Sequence, residues 1–213
     1  MGNGKTTAAR IVIYLLGIVM VSLGIILCKK SNLGISPISS IPYVLEGVVP
    51  FSFGTLTMMF HLVNIVLQMI VIRRLWDMKI LLQVPVAFLF GRVIDFLQRL
   101  VVFDGTALAV QLAALVFSII FTALGMVCMI NMNLVQNPPD GFVRQLSRKI
   151  NVELGTVKVY YDISCVALSV GLGILCLHRV KGFGIATVVS AVFVGKTVTW
   201  MKTAAANAAL QRE

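Results

Sequence analysis

Residues 32–37 read Asn-Leu-Gly-Ile-Ser-Pro, and residues 133–138 read Asn-Leu-Val-Gln-Asn-Pro. The two stretches lie 101 positions apart (32 to 133), and the same register holds on both sides of them without a gap. Upstream, Leu23-Gly24 falls on Leu124-Gly125. Downstream, Leu45 falls on Leu146 and Gly54-Thr55 on Gly155-Thr156. Towards the end of each half the offset grows by three and pairs Gly91-Arg92 with Gly195-Lys196. Leucines coincide by chance in apolar sequence, so the glycine, proline and Gly-Thr matches carry the duplication. The chain divides into two related halves, 1–104 and 105–213.

Outward from these breaks the sequence is apolar. It is 59% hydrophobic and only 12% charged, about half the charged fraction of a soluble domain. Crossing a hydrocarbon layer ~30 Å thick takes about 20 apolar residues. Six runs approach or reach that length: 11–28, 54–72 and 80–103 in the first half, 108–131, 157–177 and 183–201 in the second. The expected class is an all-α membrane protein of six transmembrane helices. Three spans per half is an odd number, so the second half enters from the opposite side and the halves form inverted repeats. A parallel arrangement would need a short helix to cross, and about 12 residues reach only ~18 Å.

The net charge of +10 does not point to nucleic acid, because the cations sit in short connections rather than in one patch interleaved with aromatics. Loop cations orient membrane proteins. With the N-terminus inside, the inner segments hold Lys5, Arg10, Arg73, Arg74, Lys79, Arg144, Arg148, Lys149, Lys202 and Arg212. The outer ones hold Lys29, Lys30, Arg179 and Lys181. The expectation is N-in and C-in. Lys5 and Arg10 ahead of an apolar run resemble a signal peptide, but no small-residue cleavage site follows, and the run reads as a retained first helix. Cys28, Cys128, Cys165 and Cys176 have no C-x-x-C spacing and no clustered histidines. Neither a disulfide frame nor a metal site is expected, and no cofactor motif occurs.

Polar residues inside the spans are the candidates for chemistry. Thr57, His61, Asn64 and Gln68 recur at i, i+4, i+7 and i+11, one face of a helix. Adding 101 gives Lys158, Asp162, Cys165 and Ser169 on the matching face of the fifth span. Such groups are costly in hydrocarbon and should face inward, where they contact a substrate or coupling ion or hydrogen-bond one helix to another. Lys158 and Asp162 can also satisfy each other as an i, i+4 pair. Arg92 and Asp95, spaced i, i+3, form a second charge site expected to be self-neutralised. Lys196 and Thr199 are their counterparts, with Lys196 near a helix end and able to snorkel.

Ser36-Pro37 and Asn137-Pro138 each join an N-capping side chain to a proline at the first helical position. Short helices are expected at 37–48 and 138–150, interfacial or shallowly re-entrant. In the second, Phe142, Leu146 and Ile150 form an apolar face opposed by Arg144, Arg148 and Lys149.

These motifs resemble a bacterial family, the YczE/YyaS/YitT-type membrane proteins, over nearly the whole chain. The resemblance rests on Leu33-Gly34-Ile35-Ser36-Pro37 and Gly54-Thr55, and on Pro138-Pro139-Asp140-Gly141, Gly155-Thr156 and Tyr160-Tyr161-Asp162 in the second half. Gly91-Arg92-Val93-Ile94-Asp95 and Ala191-Val192-Phe193-Val194-Gly195-Lys196 resemble the family's third and sixth helices. Ile38 and Arg92 stand where the family commonly has Trp and Pro, which marks a distinct subfamily. The resemblance implies a transporter-like protein of the bacterial cytoplasmic membrane.

Three functions fit. One is a small-molecule or ion transporter with a polar site between the halves, and another a substrate-capturing membrane subunit with partner proteins. The third is a non-transporting accessory protein whose polar stripes are helix–helix glue. No paired carboxylates, Ser/His/Asp set or metal-ligand spacing indicates an enzyme. A homodimer or a partner membrane subunit would complete an enclosed pathway, with the lipid bilayer as surroundings.

Overall fold

The computed structural model describes residues 7–73, 77–103 and 107–210, with side chains except at 199 and 201–210. Lys5, Arg74 and Arg212, and the side chains of Thr199 and Lys202, lie outside the described residues. Among the described residues the chain is helical, without strands: α1 (Thr7–Lys30), α2 (Pro37–Leu45), α3 (Phe53–Ile72), α4 (Met78–Leu81), α5 (Gln83–Leu100), α6 (Leu108–Met132), α7 (Pro138–Ile150), α8 (Leu154–Leu177) and α9 (Ile185–Leu210). Five stretches are long and apolar enough to cross a membrane: α1, α3, α4–α5 together, α6 and α8. In α9 the apolar stretch is Ile185–Val198, shorter than the span 183–201 read from sequence, although the helix itself continues to Leu210. Outward-facing rows such as Val63, Val66 and Ile70 on α3, or Ile163, Leu168 and Leu175 on α8, are more than half exposed. Apolar rows of this extent are uncommon on a soluble monomer and, with the five membrane-length stretches, suggest a membrane protein.

Helix boundaries follow from local chemistry. The third span starts as α4 and resumes as α5 because Pro85 lacks the N–H that would reach the Leu81 carbonyl, where α4 ends. Asn32 and Asn133, the matched pair of the repeat, both sit in the left-handed region (φ 57° and 48°) just after α1 and α6. Asparagine tolerates that conformation and closes a helix there. The short helices begin at Pro37 and Pro138 as the sequence predicts, but neither Ser36 nor Asn137 makes the side-chain capping bond. Ser36 Oγ donates to Ser39 Oγ at 3.1 Å, and Asn137 Nδ2 donates to Asp140 Oδ2 at 3.1 Å.

The centre of the bundle is the pairing of α1 with α6. These helices run antiparallel: the Arg10 guanidinium, early in α1, donates to the carbonyl of Met132, the last residue of α6, at 2.7 Å. Between apolar helices in lipid the association comes from close packing, which small residues permit. A Cβ on Gly17 would lie 2.9 Å from the Gly125 carbonyl oxygen, and one on Gly125 2.6 Å from that of Gly17. Gly24 packs in the same way on Ser118 and Thr122. The main core of Tyr14, Ile18, Phe53, Phe90, Ile94 and Met129 grows beside this crossing.

The short helices pack across the halves. α2 lies on α8, and α7 lies on α3. Both are packed into the protein, with Ser39, Ser40, Pro42 and Val44 buried in α2. In α7 the buried row is Pro139, Val143 and Ser147, whereas Ile150 of the expected apolar face is half exposed. The reason is Gly141: it lets α7 approach Gln68 of α3, and that contact sets which face turns inward.

Replacing Gly24 by Val should overpack the α1–α6 crossing and cost about 1–3 kcal/mol or prevent folding. Gly171→Ala, where a new Cβ meets nothing within 4 Å, should change stability by less than about 0.5 kcal/mol. Thermal unfolding in detergent compares the two.

Candidate functional site

The polar face of α3 is buried throughout: Thr57, His61, Asn64 and Gln68 are each 3% exposed or less. Thr57 Oγ1 donates back to the Phe53 carbonyl at 2.8 Å, so it is satisfied within its own helix. Gln68 faces Gln83 of α5, and the two amides form a double hydrogen bond: Gln68 Nε2 to Gln83 Oε1 at 2.9 Å, Gln83 Nε2 to Gln68 Oε1 at 3.0 Å. The second proton of Gln68 Nε2 goes to the Pro138 carbonyl at 3.0 Å, which docks the start of α7. Gln83 is absent from the sequence reading because it belongs to no repeat match; its position at the head of an apolar run was the available signal.

Asn64 connects the halves. Its Nδ2 donates to the Phe60 carbonyl at 2.8 Å, and its Oδ1 accepts from the Tyr161 hydroxyl of α8 at 2.8 Å. Tyr161 packs in turn on Phe142 of α7, ring centroids 5.7 Å apart. One helical turn from Asn64, the His61 imidazole lies against Phe90 at 5.1 Å, and its Nδ1 is buried without a hydrogen-bond partner. A buried unsatisfied nitrogen of this kind costs free energy, and the Tyr14 hydroxyl, Ser22 Oγ and Asn137 Oδ1 are buried without a partner in the same way.

On α8, Lys158 Nζ and Asp162 Oδ1 form the expected i, i+4 ion pair at 2.6 Å, partly exposed. Cys165 and Ser169 are buried, and Ser169 Oγ donates to the Val166 carbonyl at 2.9 Å. From the other half, the single Ser40 hydroxyl proton is shared between the Pro37 carbonyl at 2.6 Å and, as the weaker arm, the Cys165 carbonyl at 3.3 Å, where α2 meets α8. α3 therefore meets the opposite half through Asn64 and Gln68. On α8 the contacts come from Tyr161, which lies outside the expected stripe, and from the backbone carbonyl of Cys165, while Lys158, Asp162 and Ser169 bond within their own helix.

The second charge site is different from its expected form. Arg92 is exposed and makes no ion pair with Asp95. Asp95 instead reaches the start of α3, where Oδ1 accepts from the Gly54 N–H at 2.8 Å and Oδ2 from Ser52 Oγ at 2.7 Å. The cause is the close crossing of Gly54 and Gly91: a Cβ on either glycine would run into the other's carbonyl oxygen. That approach brings unpaired helix N-terminal donors within reach of the carboxylate. Lys196 is exposed and lies mid-helix, because α9 continues beyond the expected span.

A cluster that the sequence reading missed joins three elements. Lys29 Nζ donates to both carboxylate oxygens of Glu46 (2.7 and 2.6 Å) and to Gln98 Oε1 (2.9 Å), and it lies 4.3 Å from the Phe53 ring centroid. Two clefts are lined by described residues. One, about 550 Å³, opens between Arg73 and the Arg148–Lys149 end of α7. The other, about 420 Å³, lies between Lys29, Tyr43 and the 180–185 turn. Neither cleft is lined by a residue of the polar stripe on α3. Among the described residues no group of three or more His, Cys, Asp or Glu side chains is placed to hold a metal.

A family model matches residues 8–203. The chain belongs to that family, the family of unknown function DUF6198. No curated protein and no solved structure matches the DUF6198 chain.

In this DUF6198 protein, Gln68→Leu or Gln83→Leu alone should cost about 1–3 kcal/mol by stranding a buried amide. The double variant should cost less than the two losses added, because both stranded groups leave together. Asp95→Ala should destabilise by a similar amount, while Arg92→Ala stays within about 0.5 kcal/mol. Equal losses at Arg92 and Asp95 would restore the self-neutralised pair.

Proposed function

We propose that this DUF6198 protein is a small-molecule or ion carrier of the bacterial cytoplasmic membrane, working between two inverted three-helix halves. The observation that carries the reading is the exchange of elements between repeats. α1 and α6 are equivalent in the 101-residue register and run antiparallel; α2 rests on α8 as its counterpart α7 rests on α3. Equivalent helices of opposite direction are what inverted repeats require, and carriers built this way place their sites where the halves meet. The YczE/YyaS/YitT-type motifs agree with that class.

Two features at the junction support a site there. The Tyr161–Asn64 hydrogen bond joins the halves, and the His61 Nδ1 beside it is buried and unpaired. Polar groups held at such cost inside a membrane protein mark substrate or proton pathways. Asp162, ion-paired with Lys158 one residue along α8, supplies a charge that a coupling ion or substrate could displace. The function proposed for these groups is binding and passage. The N-in, C-in orientation follows from the loop cations.

A second reading has its own observation. Thr57 and Gln68 are satisfied within the protein, as helix–helix glue would be, which favours a substrate-capturing or accessory membrane subunit acting with partner proteins. Activity and stability separate the two. In a thermal-stability screen against metabolites and ions, a ligand that raises the Tm of the wild type should fail to raise that of His61→Ala and Asp162→Asn, each measured against its own unliganded Tm. No ligand anywhere in a broad library would favour the glue reading.

Topology has an independent check at repeat-equivalent positions. Phe51 and Val152, both exposed, mark the ends of the two short-helix segments. Phe51→Cys and Val152→Cys, each in a background lacking Cys28, Cys128, Cys165 and Cys176, should label with an impermeant thiol reagent from opposite sides of the membrane. Labelling from one side would rule out the inverted arrangement.

A further inference from the structure

The outer end of the bundle carries positive charge where membrane proteins usually avoid it. On the N-in orientation, Lys29, Lys30, Arg179 and Lys181 all fall outside, against the usual bias. They come from two connections far apart in sequence, and the fold gathers them. Lys29 and Lys181 line the 420 Å³ cleft, while Lys30 acts through space on Lys29 and Arg179 on Tyr43.

The wall of the cleft is built rather than accidental. The Ile35 N–H donates to the Gly182 carbonyl at 3.0 Å, and the Ala186 N–H to the Leu33 carbonyl at 2.9 Å, so the turn after α1 is stitched to the turn before α9. Gly34 (φ 115°) and Gly182 (φ 84°) hold backbone conformations that L side chains rarely adopt. A Cβ on Gly182 would also lie 2.8 Å from the Tyr43 ring, and one on Gly34 2.9 Å from the Gly184 nitrogen. The repeat does not require Gly34, since its counterpart is Val135. The cleft does.

The two lysines have different roles. Lys29 uses all three of its ammonium protons on Glu46 and Gln98, so it is fixed, and neither acceptor lines the cleft. Lys181 has no carboxylate partner among the described residues; its ammonium lies 4.7 Å from the centroid of the Tyr43 ring. It keeps its hydrogen-bond donors for something else. Asn32 lines the same cleft and offers an amide. The volume falls within the range of small-ligand sites, ≈ 300–1,000 Å³.

We propose that this cleft binds an anionic group, a carboxylate or phosphate, through Lys181 with Asn32 as a further donor. The group comes from a free solute or from an anionic lipid headgroup. The site is separate from the His61–Asp162 junction and stands whether or not that junction transports anything.

The test is thermal unfolding of the full chain in uncharged detergent, titrated with inorganic phosphate or acetate against chloride at matched ionic strength. A second arm uses nanodiscs of phosphatidylcholine with and without phosphatidylglycerol. The wild type should gain Tm saturably, by roughly 3–6 °C at tenfold excess over Kd. Lys181→Gln should abolish the gain. Asn32→Gly, which keeps the left-handed backbone, should weaken it, and Lys30→Gln should leave it largely intact. A Lys181-dependent gain with phosphate or acetate identifies a free solute, and one seen only with phosphatidylglycerol identifies a headgroup. No gain in either arm, or a gain that Lys181→Gln retains or Lys30→Gln removes equally, would overturn the proposal. Should Lys181→Gln fail to fold, Asn32→Gly decides alone: an undiminished gain there overturns it.

Discussion

Helices that are apolar all round have little reason to choose one another in a solvent of hydrocarbon. Close backbone approach is what distinguishes one pairing from another. In this protein it occurs at two glycine crossings, Gly17 with Gly125 and Gly24 with Ser118 and Thr122 between α1 and α6, and Gly54 with Gly91 between α3 and α5. The first sets the antiparallel centre. The second delivers Asp95 to the α3 N-terminus and closes the first half. The short helices then fill the space between halves, where Gln68 holds α7 and Ser40 holds α2, while Asn64 ties α3 to α8.

Much of this was legible because the repeat marks backbone requirements. Gly24 and Gly125 recur where the first helices cross, Asn32 and Asn133 where those helices must end, and Pro37 and Pro138 where the short helices begin. Helical periodicity likewise located a buried polar face on α3. What sequence periodicity does not contain is the choice of partner. Arg92 is the near neighbour of Asp95 in sequence, yet the glycine crossing offers the carboxylate unpaired N–H groups instead. The Phe142–Leu146–Ile150 face is the more apolar one on α7, yet Gly141 allows the approach to Gln68 that turns another row inward. The Lys29–Glu46–Gln98 cluster unites residues from three elements with no common spacing.

The halves are not equally closed. A side chain on Gly155 would have its nearest atom at 3.8 Å, and one on Gly195 would meet none within 4 Å, so the second half lacks the tight crossing that Gly54 and Gly91 make in the first. α8 is correspondingly the least enclosed of the five membrane-length stretches, at 17% buried. Loosely packed elements open more readily than closely packed ones, and the Tyr161–Asn64 hydrogen bond joins the sparsely enclosed α8 to the more closely packed first half.

The proposed inverted architecture and the proposed junction site both depend on the antiparallel pairing of α1 with α6. Spin labels on Ala8→Cys and Asn131→Cys, both exposed positions, in a chain without its native cysteines would measure it by pulsed electron resonance. The antiparallel pairing predicts a short distance, under about 20 Å, and a separation of roughly 35 Å between Ala8→Cys and Leu108→Cys, set by the 25 residues of α6. The reverse pattern, long to Asn131 and short to Leu108, would contradict it.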